Sequence, residues 1–432
     1  MTCYLLVLLA ALLPAAAPAR VLCYYDSRSH YRAGAAKFQV QDIEPSLTYC
    51  THLVYGYAVL DATSYKLTPQ DEQLETVPTT GNFLAITGLK KRFPGLHVML
   101  SVGCHSDLHD HEKYLTLLES EDNRKAFVGS ARTLLRQYGF DGLDLCWQFP
   151  PKPVKKDRGA LGSIWHGLKK TLGYAHSHKD EKEEEHRDGF SSLVEELKKV
   201  LKPDGLLLTA TALTNTNAQA YLDTAKISQH LDAIVVMAFD YKSPEAGRSE
   251  KEADYPAPLY PAGGRPLNDT VDGSVRAWLE KGVPSSKLIL GMPTYGRTWK
   301  LTSESQISGV PPLTADGPGP EGPQTKMAGL LAYPEICPLV GGSPRDKTHL
   351  RLVTDPSRRL GTYAFRLPDA GSDEGGLWVG YEDPDTAGLK ATYAKQKGLG
   401  GIAVFDLTLD DFRGVCSGDK FPILKSAKSK LA

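Results

Sequence analysis

Residues 140–150 read FDGLDLCWQFP. Asp144, Cys146 and Gln148 stand two apart, so on a strand their side chains share one face. Trp147 points the other way by the same alternation, toward packing against helices. A strand ending in polar groups on one face fits the active end of a parallel barrel, where functional side chains sit at strand C-termini. Cys146 and Gln148 cannot exchange a carboxyl proton. The stretch leaves open whether this is a working active site or one whose chemistry has been removed while its architecture was kept.

Working outward, short apolar runs recur between longer amphipathic segments: VLCYYD at 21, THLVYGYAV at 51, LHVMLSVG at 96, FDGLDLCW at 140, GLLLTATA at 205, LDAIVVMAF at 231, KLILGMPT at 287 and GIAVFDL at 401. Helical patterns lie between most of them, among them NRKAFVGSARTLLRQYG at 123 and FSSLVEELKKVLKPDG at 190, the second closing on a Pro-Asp-Gly stop. Strands alternating with helices predict a parallel sheet, and eight such units predict a closed α/β (β/α)8 TIM barrel. The first part of the barrel spans 20–297, with a long loop insertion at 150–186 expected to overhang the mouth. Its HSHKDEKEEEH run reads as solvated surface, and the insertion as a whole, joining a basic PKPVKK stretch to that acidic one, reads as a partner-recognition element or, alternatively, a solubilising loop. A Gly- and Pro-rich stretch at 298–375 reads as a small inserted α+β subdomain before the last strand, and 376–432 completes the barrel.

The chain of 432 residues carries 50 Lys and Arg against 51 Asp and Glu, a formal net charge of -1 with no basic stripe, which excludes nucleic acid and anionic membrane as partners. Residues 1–19, MTCYLLVLLAALLPAAAPA, read as a signal peptide with small residues at Ala17 and Ala19. The run is too short to span a bilayer, so membrane insertion is not expected and secretion is. Removing it leaves Cys23, Cys50, Cys104, Cys146, Cys337 and Cys416, an even set compatible with disulfides in a secreted chain. Asn268-Asp269-Thr270 is a glycosylation sequon. The His105, Asp107, His109, Asp110, His111 group has zinc-type ligands at a spacing that matches no defined site, and reads as a solvated loop. No metal or other cofactor is expected.

These motifs together resemble the family-18 chitinases over nearly all of the mature chain. DGLDLCWQ is similar to their Asp-Gly-x-Asp-x-Asp-x-Glu signature, LHVMLSVGC to their Ser-x-Gly-Gly strand, MAFDY to their Met-x-Tyr-Asp strand and GLGGIAVFDLTLDDF to their last strand. Within that group CYYDSRSHYRAG, KEADYPAPLY, GVPPLTADGPGP, GPQTK and DDFRGVCSGDKFPI resemble the insect imaginal disc growth factors.

The resemblance implies that Gln148 stands where the chitinase general acid is a Glu, and Cys146 where an Asp steers the substrate's acetamido group. It places the Tyr that contacts that group at Phe239 and the Trp beneath the sugar at Phe405. An amide cannot act as a general acid, so the degenerate site Asp141, Asp144, Cys146, Gln148 is expected to be catalytically inactive. Asp240, Tyr241, Tyr295 and Arg297 remain to line a sugar-binding cleft with Asp144, Gln148, Phe239 and Phe405. The residues alone leave two readings of Asp141 and Asp144 open: part of that cleft, or a polar strand end held for packing.

The resemblance also implies the bridges Cys23–Cys50 and Cys337–Cys416. Strand alternation turns Cys104 outward and Cys146 inward, which favours two reduced thiols there over a third bridge. By function, the resemblance implies a secreted growth factor promoting proliferation, polarity or motility with insulin-like signalling through a cell-surface receptor, with roles in cuticle or wound tissue. The alternatives are a chitin-binding lectin of the cuticle matrix, taking chitooligosaccharide or another glycan, and a residual glycosidase using Asp144.

Overall fold

The computed structural model describes residues 18–107, 110–150, 180–214, 216–244, 251–261, 264–343, 346–369 and 375–432. Residues 1–17 of the expected signal peptide and most of the 150–186 insertion lie outside these residues. Each of the eight apolar runs overlaps a barrel strand: β1 Arg20–Asp26, β2 His52–Leu60, β3 His97–Gly103, β4 Gly142–Cys146, β5 Leu207–Ala212, β6 Ala233–Met237, β7 Leu288–Pro293 and β8 Gly401–Phe405. Consecutive strands pair in parallel, and β1 pairs with both β2 and β8, which closes the ring into a (β/α)8 barrel.

Alternation sorts the side chains into two cores. Val21, Cys23 and Tyr25 of β1 pack outward into the layer between barrel and helices, while Leu22 and Tyr24 fill the barrel interior. The helices follow their sequence signals. Glu121–Tyr138 is capped by the Ser120 hydroxyl on the Asn123 N–H and ends at Gly139, whose φ of 74° turns the chain out. Glu183–Leu201 runs into the turn Lys202–Asp204 and stops at Gly205 in the same left-handed conformation. No described helix is long and apolar enough to cross a membrane.

Between β7 and β8 the chain builds an antiparallel sheet of five strands, in the order Leu330–Ala332, Tyr295–Leu301, Gly376–Tyr381, Thr362–Arg366, Arg351–Thr354, with the helix Tyr333–Gly341. Only Thr294 separates β7 from the first strand of this subdomain, so its sheet begins at Tyr295 and ends at Tyr381: the first strand straddles residue 298, and Gly376–Tyr381 lies just past residue 375. The Cys337–Cys416 disulfide ties the subdomain helix to the segment after β8 across a sequence separation of 79. Restricting a loop of that length in the unfolded chain is worth about 3–5 kcal/mol. Cys337→Ser combined with Cys416→Ser is therefore expected to lower the free energy of urea unfolding by about that amount; an unchanged midpoint and slope would show that the bridge constrains nothing.

Candidate functional site

Asp144 lies at the centre of the barrel, fully buried. Its carboxylate accepts hydrogen bonds from the hydroxyls of Ser101 at 2.8 Å, Thr209 at 2.7 Å, Thr211 at 2.9 Å and Tyr24 at 3.2 Å, drawn from three other strands. Burial pushes its pKa up against the pull of those four donors. Asp141 sits at the opposite end of β4, where it accepts the Val98 N–H at 2.7 Å and pairs with Lys90 at 2.8 Å. Neither residue lines the cavity at the mouth, and both hold strands together. Trp147 points outward and packs edge-on against Tyr114, Phe127 and Phe190.

At the tip of β4, Cys146 is bonded to Cys104, with Cα atoms 5.0 Å apart. The structure thus corrects the expectation of two reduced thiols. Alternation fails because β3 ends one residue earlier than Cys104: Gly103 has φ 91° and Cys104 φ 49°, and the reversal swings the thiol inward. Only glycine fits before it, since a Cβ on Gly103 would lie 2.4 Å from the Cys146 carbonyl oxygen. Bridges also join Cys23 to Cys50 and Cys337 to Cys416.

Gln148, 2% exposed, spends its amide on the main chain: Nε2 donates to the carbonyls of Cys104 at 3.0 Å and Cys146 at 3.3 Å. Like Asp144, it contributes nothing to the cavity wall, which corrects its place in the predicted cleft. Tyr241 leaves the cleft as well. Asp240 takes φ 58°, the strand rhythm breaks, and the Tyr241 hydroxyl meets Ser274 at 2.6 Å on the outer helix Val271–Glu280.

The remaining predicted residues do meet. Phe239, Asp240, Tyr295, Arg297 and Phe405 line a mouth cavity of about 380 Å³, within the range of small-ligand sites. Arg297 grips Asp240 with both nitrogens, at 2.9 and 2.6 Å, and the Tyr295 hydroxyl adds a third bond at 2.7 Å. Phe239 lies edge-on to Tyr295 and 5.9 Å from Phe405. Sequence reading missed Asp26, Arg28, Arg32 and Asp406, which line the same cavity. Their signal was available: Asp26 ends β1 and Asp406 follows β8, both at strand C-termini. Burial pushes Asp26 up, but the Arg28 guanidinium, 2.8 Å away, outweighs it and holds the carboxyl below its usual range. Asp406 is pushed up to about 6 by burial and by the Asp26 charge.

The His/Asp group after β3 is not a simple solvated loop. Asp107 is buried and accepts from the Tyr114 hydroxyl at 2.5 Å and Lys113 at 2.8 Å, which makes it an anchor for the helix Glu112–Glu119. Asp110 is exposed and His111 pairs with Glu112; His109 lies outside the described residues. Among the described residues, no group of three His, Cys, Asp or Glu could hold a metal.

Fold and mouth define a (β/α)8 barrel with a cavity at the C-terminal ends of its strands and an amide at the tip of β4. Residues 20–410 match the Glycosyl hydrolases family 18, and the chain belongs to that family. It is 50% identical over 433 residues to "Chitinase-like protein EN03" of Bombyx mori, with 99% of this chain and 98% of the relative covered. It is 39% identical over 426 residues to "Imaginal disk growth factor 6" of Drosophila melanogaster, covering 95% of this chain and 93% of the relative. The likeness to imaginal disc growth factors read from the motifs is thus borne out. Among solved structures, human YKL-39, described as a pseudo-chitinase with retained chitooligosaccharide binding properties, matches with a TM-score of 0.74 and 26% identity over 96% of this chain and 99% of that one.

Proposed function

We propose that the protein is a secreted, catalytically silent chitinase-like growth factor that promotes proliferation, polarity or motility, acting with insulin-like signalling through a cell-surface receptor, in cuticle or wound tissue among other settings. The observation that carries the silence is Gln148. A general acid must present a proton to a glycosidic oxygen, whereas this side chain has no acidic proton and donates to two main-chain carbonyls instead. The bridged Cys146 removes a second carboxylate from the same strand tip. Three disulfides fit an oxidising compartment, and Asn268 is exposed where a glycan would attach. The growth-factor role rests on the likeness to the imaginal disk protein.

Purified protein added to dividing insect cells is expected to raise cell number at least twofold over a heat-denatured control when insulin is present. An equal response from the denatured protein would sink the signalling role. A glycan in the mouth cavity is a second, compatible reading, favoured by the aromatic and carboxylate lining and by the pseudo-chitinase YKL-39. Calorimetry with soluble chito-oligosaccharides should then show a Kd tighter than about 1 mM, roughly 4 kcal/mol.

A further inference from the structure

We propose that the mouth cavity takes an amino sugar with a free 2-ammonium group, a deacetylated chito-oligosaccharide, anchored on Asp406. The proposal rests on the reading of the cavity as a glycan site and names the sugar that it prefers.

The charges around the cavity leave one acceptor unspent. Arg28 is paired with Asp26, and Arg297 with Asp240. Arg32 donates to the carbonyl and hydroxyl of Thr408 at 3.0 and 3.1 Å. Asp406 is 3% exposed, and its Oδ1 is taken by the Thr408 N–H and hydroxyl. Its Oδ2 accepts no hydrogen bond from any described residue, yet it is not among the buried polar atoms sealed off without a partner. The space it opens on is the cavity that Asp406 helps to line. A carboxylate oxygen open only to such a cavity takes a donor, and a cation serves it best.

The walls point the same way. An acetamido group is neutral and needs a donor for its carbonyl as well as an acceptor for its N–H. At Phe239 the cavity has a ring edge without a hydroxyl, and Cys146 is spent in a disulfide. An acetamido carbonyl lodged beside Phe239 meets no hydroxyl there to replace its water, whereas an ammonium group needs only acceptors. Phe239, Phe405, Met237 and Leu409 give the same cavity apolar walls, and an ion pair formed in such a setting is stronger than one in open water.

The charged and titratable groups that act on Asp406 are Asp26, Arg28 and Arg32 from β1 and the turn after it, and Tyr57 from β2. With burial and Asp26 setting its pKa near about 6, Asp406 is ionised at neutral pH and loses its charge as pH falls through that value. Affinity for an ammonium sugar must fall with it.

The test is calorimetry of the full-length protein with chitosan tetramer (four glucosamine units) and with the tetra-N-acetyl tetramer, at pH 7.5 and pH 5. The expected result is at least tenfold tighter binding of the amine at pH 7.5, with the preference gone at pH 5. Asp406→Asn keeps the Oδ1 acceptor for Thr408 and should remove the preference for the amine over the N-acetylated tetramer at pH 7.5. Equal or tighter binding of the N-acetylated sugar overturns the proposal and leaves the glycan reading standing. A preference that survives Asp406→Asn, or that persists unchanged at pH 5 in the wild type, overturns Asp406 as the anchor without depending on how well the variant folds. Failure of both tetramers to bind below about millimolar ends the glycan reading itself.

Discussion

Gln148→Glu alone is expected to give no chitinase and a less stable protein. Turnover should stay at least about 10⁴-fold below the 1 to 1000 per second of ordinary enzymes, because a carboxyl at this position arrives without the rest of its machinery. The strand neighbour that would orient an acetamido nucleophile is Cys146, and it is locked to Cys104. Proximity and charge stabilisation are both missing. Nor does the new carboxyl find an empty place, since the amide it replaces donates to the Cys104 and Cys146 carbonyls. An ionised Glu would set a negative charge against two carbonyl oxygens in a buried site, at a cost of about 2–3 kcal/mol. That raises its folded pKa above the unfolded value. The penalty is smallest below the unfolded pKa, grows as pH rises through the folded one, and should appear as a melting-temperature deficit larger at pH 7 than at pH 4. Fluorogenic chitooligosaccharide hydrolysis at chitinase rates, or a melting temperature equal to wild type at pH 7, would contradict this account.

The disulfide also changes what a fair reconstruction requires. Cys146→Asp in combination with Gln148→Glu leaves the Cys104 thiol unpaired beside a new charge, so Cys104→Ala belongs in the same variant. Weak hydrolysis is expected from that triple change. It should rise once Phe239→Tyr restores a hydroxyl and Phe405→Trp a broader floor, both of which already line the cavity.

Why the barrel was legible, and its mouth only half so, follows from where strand periodicity holds. Inside the strands the period of two is enforced by hydrogen bonding on both sides, so Asp144 and Cys146 face inward and Trp147 outward as the sequence requires. At the strand tips the rule lapses. Cys104 and Asp240 both take positive φ, each reversing the direction of the side chains that follow, and neither Cys nor Asp announces that conformation as Gly would. The bridge and the outward turn of Tyr241 were lost for this reason. Asp26 and Asp406 were missed for another. Each sits at a strand end inside a motif that was read for family and not for the site, and the two come together only when ring closure sets β1 beside β8.

Asp144→Ala is expected to cost about 3–5 kcal/mol, more than any other single substitution in the barrel interior. Four hydroxyls from β1, β3 and β5 converge on this carboxylate. Removing it strands most of them in a space that excludes water, and only the Tyr24–Thr211 contact at 2.9 Å can take up part of the loss. A cavity adds to the cost. Asp144→Asn separates the charge from the acceptor: its carbonyl oxygen still receives two or three hydroxyls, while its NH2 must face a hydroxyl that can turn to accept. Because burial already raises the Asp144 pKa, loss of the charge itself is mild, and Asn should cost about 1–2 kcal/mol. Chemical denaturation of the two variants side by side measures the difference. If Ala and Asn prove equally destabilising, the carboxylate acts through its charge and not as the shared acceptor of the barrel, and the structural role assigned to it here fails.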